Sequence, residues 1–178
     1  MLVLDAIPYS CLSAYIRSFQ RALPPGSSAM LGFSTYGDTP SFTHGAFVHA
    51  AIPFLARQHV TKRAASRSTS SASAWCPSLD VQPTPLLTTL DGVISLLRSG
   101  SSPLVVEAVQ NVSEQYASYL DRYVCELTDL PKVRDKFVAQ WGMAGWREER
   151  LMVTWEAALF RAGLMLRWVV LVTHHEHV

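Results

Sequence analysis

Residues 130–172 read LPKVRDKFVAQWGMAGWREERLMVTWEAALFRAGLMLRWVVLV and hold Trp141, Trp146, Trp155 and Trp168, four of the five tryptophans. Two short apolar patterns meet in this stretch. Val133, Phe137 and Trp141 repeat at steps of four, and Gly142 and Gly145 then give the chain a bend. From Trp146 onward Leu151, Trp155, Leu159, Ala162, Leu166 and Val169 fall on one helical face, with Phe160, Leu164, Trp168 and Leu171 on another. Read this way, the segment ends in a helix that is apolar nearly all round, and such a helix belongs inside a bundle. The uninterrupted run is shorter than the roughly twenty residues that a bilayer core requires, and Arg161 and Arg167 interrupt it.

Helical spacing extends outward from this segment. Tyr9, Leu12, Ile16, Phe19 and Leu23 form one apolar stripe that stops at Pro24-Pro25-Gly26. Residues 26–45 are rich in Gly, Ser, Thr and Pro without a sustained period and read as a loop. A second apolar segment over 42–55 carries Pro53 and is either kinked or ends before it. Lys62, Arg63 and Arg67 open a Ser-rich tract that is too poor in large apolar side chains to offset its ordering entropy. Thr84-Pro85 then supplies a cap and a first-turn proline for a helix through Leu97, and Ser102-Pro103 repeats the signal. From there Val105, Val109, Val112, Tyr116, Tyr119, Tyr123 and Leu127 suggest one long helix, which Asp129 and Pro131 break. The expected fold is all-α, a bundle of about six helices. Its parts are an N-terminal helical segment over 1–60, a flexible Ser/Arg-rich linker over 61–83 and a helical core over 84–178.

Composition bounds the function. The 178 residues are 49% hydrophobic and 16% charged, with a formal net charge of +1. Such a chain can build a core without disulfide or metal staples, and it has fewer charges than a typical soluble domain. Basic residues dominate 1–79 (net +4) and acidic residues 80–178 (net −3). Cys11, Cys76 and Cys125 are far apart and odd in number, which fits a reducing compartment better than a disulfide framework. An intracellular, cytoplasmic setting is expected, with organellar import kept as an alternative because the N-terminal half is poor in acids.

No phosphate loop, dinucleotide fingerprint, nucleophile elbow or H-E-x-x-H motif occurs. His174, His175, Glu176 and His177 are the one dense cluster of ligand types. The three histidines are weak metal candidates, and cationic side chains near a helix C-terminus explain them as well. No cofactor and no small-molecule substrate is indicated, and three basic residues without interleaved aromatics do not suggest nucleic acid. Trp146, Trp155, Trp168, Arg161 and Arg167 are instead candidates for contacting a protein partner, since Trp and Arg dominate such contacts.

The order of elements in 105–172 resembles the early part of the Bro-domain family. The resemblance rests on a helix with Tyr116, Tyr119, Leu120 and Leu127, an element with Phe137 and Trp141, and a helix reading Glu156-Ala-Ala-Leu-Phe-Arg-Ala-Gly-Leu164. It implies a curved, all-helical adaptor of the Alix type that binds ESCRT subunits, with no catalytic role. The expected function is therefore a non-catalytic interaction or assembly subunit. A membrane-associated subunit that does not span the bilayer and a His-rich metal-binding protein are the alternatives.

Overall fold

A computed structural model describes residues 1–7, 9–37, 88–100 and 102–174. The second apolar segment, the Ser/Arg-rich linker and the Thr84-Pro85 cap lie outside the described residues. The elements run β1 (Leu2–Val3), a single 3-10 turn (Leu4–Ala6), α1 (Tyr9–Ala22), β2 (Ser28–Tyr36), α2 (Leu90–Arg98), β3 (Val105–Asn111), α3 (Ser113–Asp129), α4 (Pro131–Arg161) and β4 (Met165–Thr173). The expected all-α fold is corrected: the four strands form one mixed sheet in the order β1-β2-β4-β3.

The central strand pair holds this sheet together. β2 and β4 are antiparallel in unbroken register from Ser28↔Thr173 to Tyr36↔Met165. β1 adds two residues parallel to β2, and β3 lies antiparallel to β4 with a bulge between Val106 and Ala108. The expected loop over 26–45 thus contains a central strand, and the start of the expected long helix at 105 is an edge strand. The end of the expected buried helix is β4. Strands flanked on both sides produce continuous apolar runs that periodicity alone does not separate from buried helix.

The boundary between α4 and β4 has a specific cause. Gly163 has φ +68°, its N–H donates to Phe160 O (3.2 Å), and the Leu164 N–H donates to Leu159 O (3.1 Å). That pair of bonds is a Schellman motif, which closes a helix C-terminus with glycine in the left-handed region. The chain leaves it as Met-Leu-Arg-Trp-Val-Val-Leu-Val-Thr, whose β-branched and aromatic residues suit a pleated surface.

Other expectations hold. α1 uses the anticipated stripe, burying Leu12 and Ile16 against Leu31, Phe33, Val93, Leu97, Val170 and Val172. Gln20, also on α1, donates from Nε2 to Leu97 O (2.7 Å) and Ser99 O (2.9 Å), satisfying carbonyls that the end of α2 leaves open. α2 ends near the expected Leu97 but starts later than expected, at Leu90, with Thr89 as its cap in place of Thr84, Oγ1 accepting from the Gly92 N–H at 3.2 Å. Pro131 begins α4, and the bend falls at Gly142 (φ 75°, ψ 170°).

α3 and the second part of α4 form an antiparallel hairpin. Trp146 meets Leu127, Tyr123 meets Glu149, and Tyr116 meets Glu156. Residues 143–161 therefore run back along α3, and residues 131–141 sit at the tip, at the end of the hairpin away from the sheet. Ala117, Leu120, Val153, Ala157, Leu159, Phe160 and Met165 make a second core between the hairpin and β4. Among the described residues no helix is long and apolar enough to cross a membrane.

Candidate functional site

The two parallel strands β1 and β2 end at the same edge of the sheet. In open α/β sheets, ligands bind outside the carboxyl ends of such strands. Asp5 lies in the turn just beyond β1, and Ser34, Thr35 and Tyr36 close β2. β4 brings Arg167 directly opposite Ser34. The buried Asp5 and Arg167 side chains form an ion pair through Arg167 Nη1 and Asp5 Oδ2. Asp5 also accepts from the Ser34 N–H (2.6 Å) and Ser34 Oγ (3.4 Å), and Arg167 Nη1 donates to Ser34 Oγ at 2.8 Å. Burial pushes the Asp5 carboxyl above its ordinary 3.8, with Arg167 and the Ser34 hydrogen bonds pulling the other way.

The hairpin adds a second group of side chains. The Arg167 N–H donates to Ser113 Oγ (2.9 Å) at the start of α3. One turn on, the Tyr116 ring lies under the Arg167 guanidinium at 4.9 Å and meets Phe160 edge-on at 5.1 Å. The Tyr116 hydroxyl donates to Glu156 Oε1 over a long 3.4 Å. Burial first, and the Glu156 charge second, push the Tyr116 phenol well above its ordinary 10.0. It therefore stays a neutral donor across the physiological range. Tyr116 is half-buried and Glu156 is buried. Chemically, such a pair can pass a proton: the phenol oxygen takes one from a bound molecule while its own moves to Glu156.

Of the residues singled out in the sequence, only Arg167 belongs to this site. Trp168 Nε1 donates to Thr35 Oγ1 (3.0 Å) and packs on the first core. Trp155 packs on the second core. Trp146 Nε1 donates to Leu127 O (2.9 Å), with Arg150 stacked on its ring. Arg161 pairs with Asp121 on the surface. His174 Nδ1 lies 2.6 Å from Leu23 O, and His175 and His177 fall outside the described residues. No group of three His, Cys, Asp or Glu side chains that could hold a metal occurs among the described residues. Asp5, Ser34, Tyr116 and Glu156 were not anticipated. The available signal was Leu2-Val3-Leu4 running into Asp5, an acid placed directly after a short apolar segment.

No family model matches the sequence, and neither does any curated protein. Solved structures do match. The chain is similar to the mycolic acid cyclopropane synthase CmaA1 at 15% identity and TM-score 0.62, covering 95% of this chain and 54% of that one. It is similar to the phospholethanolamine N-methyltransferase 2 of Haemonchus contortus, seen with phosphomonomethylethanolamine and S-adenosylhomocysteine, at 9% identity and TM-score 0.59. That match covers 97% of this chain and 32% of the other. The cyclopropane synthase MmaA2 from Mycobacterium tuberculosis matches at 15% and 0.59, over 95% of this chain and 52% of that one.

The fold is a methyltransferase-type α/β fold. This chain spans about half the length of the two cyclopropane synthases and a third of the N-methyltransferase. The methyltransferase-type architecture overturns the Bro-domain resemblance, because a mixed sheet replaces the helical layers on which that reading depended. The expectation of a non-catalytic adaptor is corrected with it, since the structures that share the fold are enzymes. The expectation that no small-molecule substrate is indicated is corrected too: CmaA1 has been seen complexed with SAH and CTAB, and the N-methyltransferase with two small molecules.

Proposed function

We propose that this chain forms the acceptor-binding side of a small-molecule group-transfer enzyme of the methyltransferase type. The observation that carries the reading is the Arg167-Tyr116-Glu156 array, which the hairpin holds over the carboxyl ends of β1 and β2. The likeness to methyl- and methylene-transferring enzymes supports it.

The described residues do not fit the adenosyl donor itself. The chain contains no G-x-G-x-x-G turn, and the one carboxylate just beyond β1, Asp5, is engaged by Arg167 and Ser34. Donor binding is assigned to none of these residues. Their part is to bind and orient an acceptor and to hold a proton. Arg167 fixes the face of the Tyr116 ring, Phe160 fixes its edge, and Glu156 receives the phenol proton when the acceptor gives one up. The hairpin excludes water from one side of the pair through Ala157 and Phe160.

Equilibrium dialysis of the protein against a small-molecule extract of its source, read by mass spectrometry, should show a retained acceptor. Tyr116→Phe keeps the ring contacts and removes the hydroxyl, so retention should weaken by roughly tenfold. Circular dichroism should be unchanged. Absence of any retained small molecule, or equal retention by the two proteins, would sink the reading.

A further inference from the structure

The ladder between β3 and β4 stops with Asn111 opposite Trp168. The next residue of β4, Arg167, is buried and presents its own N–H and C=O to the side where β3 has ended, and backbone groups left unpaired there would be costly. Three consecutive residues, Asn111-Val112-Ser113, meet that need. The Val112 N–H donates to Arg167 O (2.8 Å), and the Arg167 N–H donates to Ser113 Oγ (2.9 Å). A serine hydroxyl thus stands where a strand would offer a carbonyl. Ser113 Oγ accepts from Arg167, so its single hydrogen is left for Asn111 Oδ1 at 2.5 Å, and the same oxygen accepts from the Ser113 N–H at 3.0 Å.

The same junction sets the course of α3. Ser113 is the first residue of the helix, and Tyr116 follows three residues later, on the same side and one turn on. The Tyr116 N–H donates to Val112 O (2.9 Å) and closes that turn. At the capping position stands Val112, which offers the first amides no side-chain acceptor. A hydroxyl there would stabilise the helix. The serine one residue on serves the contact between helix and strand instead. Arg167 is therefore held at both ends of one residue: its peptide by Val112 and Ser113, and its guanidinium 4.9 Å from the Tyr116 ring.

We propose that Ser113, held by Asn111, is the positioning residue of the Tyr116-Glu156 pair: its hydrogen bond to the Arg167 peptide fixes the start of α3 and so sets where the phenol stands. The bearing of this on an acceptor rests on the group-transfer reading, whereas the geometry does not. Ser113→Ala removes the hydroxyl and leaves the Val112–Arg167 bond, so the helix stays attached while its first turn is free to rotate. Protein carrying tyrosine isotope-labelled at Cζ reports the result by NMR, with Tyr116→Phe assigning the signal. In wild type, burial, Glu156 and Asp5 hold the Tyr116 phenol in its neutral form against the opposing charge of Arg167.

In Ser113→Ala the Tyr116 signal should shift at neutral pH by more than that of any other tyrosine, and its titration should begin at lower pH. Ser113→Thr, which keeps the hydroxyl, should hold the wild-type position. Asn111→Ala, at an exposed residue, should give a smaller shift in the same direction, and it carries the test if Ser113→Ala does not fold. In equilibrium dialysis Ser113→Ala should weaken acceptor retention by roughly the tenfold expected of Tyr116→Phe, and should add nothing to it in the double variant. A Tyr116 signal that neither Ser113→Ala nor Asn111→Ala moves, or losses of retention that add in the double variant, overturn the positioning role. If the signal moves as expected while wild type retains no small molecule, the positioning role stands and the proposed function fails.

Discussion

Removing Arg167 and removing Asp5 break the same ion pair, yet the two changes leave different groups behind. Arg167→Met strands a buried carboxylate and should cost about 3–5 kcal/mol at neutral pH. Asp5→Asn strands the buried Arg167 cation but leaves it the Ser34 hydroxyl and the Tyr116 ring, and it removes an acid whose charge burial disfavours, so its cost should be the smaller of the two. Because the Asp5 pKa is raised in the folded protein, the native state takes up a proton more readily than the unfolded chain. Stability from this group is fully present below 3.8 and is lost as pH rises through the raised value. The advantage of wild type over Asp5→Asn should therefore shrink as pH rises from below 3.8 towards neutral. The cost of Arg167→Met should shrink as pH falls, since protonation removes the stranded charge. Urea midpoints across that range provide the measurement, and equal costs for the two variants at pH 7 would refute the asymmetry.

At the scale of elements, one backbone device decides whether 146–172 is a helix or a helix followed by a strand. Gly163 has space around it, since an added Cβ would meet nothing within 4 Å, so Gly163→Ala pays only for its left-handed φ, about 1–2 kcal/mol. Gly37 is different. An added Cβ there would fall 2.2 Å from the Gly163 carbonyl oxygen, and the Gly37 N–H donates to Leu164 O at 3.0 Å. Gly37→Ala must therefore shift backbone where β2 ends against the turn into β4, and thermal melts should place it below Gly163→Ala. Here the sequence was legible in part. α1, the break at Asp129-Pro131 and the bend at Gly142 carry local signals, in spacing, proline and glycine, and each was readable. β2, β3 and β4 carry none of comparable strength: flanked central strands lose their alternation, and Val105, Val109 and Val112 satisfy a helical period by coincidence. Ala162-Gly163 was the one overlooked sign. The candidate site was less legible still, because Asp5, Ser34, Tyr116, Glu156 and Arg167 come from five separate elements and meet only through the register of β2 on β4 and the packing of the helical hairpin.

At the scale of the molecule, β4 is shared between the two cores. Val170 and Val172 belong to the cluster with α1 and α2, Met165 belongs to the cluster with the hairpin, and Arg167 between them ties Asp5, Ser34 and Ser113 together. Two cores threaded by one strand through a buried polar junction should open as a single cooperative unit. Leu120→Ala tests this, since it cuts a buried side chain in the hairpin with no direct part in the first core. It should cost about 2–5 kcal/mol. If the two cores are one unit, the slowest amides of β2 and β4, Leu31, Phe33, Val170 and Val172, should lose protection by that same free energy in native-state hydrogen exchange. If protection at Val170 and Val172 survived while the hairpin amides alone became labile, the hairpin would be a separately opening lid. Access to Tyr116 would then be governed by local opening instead of by global stability.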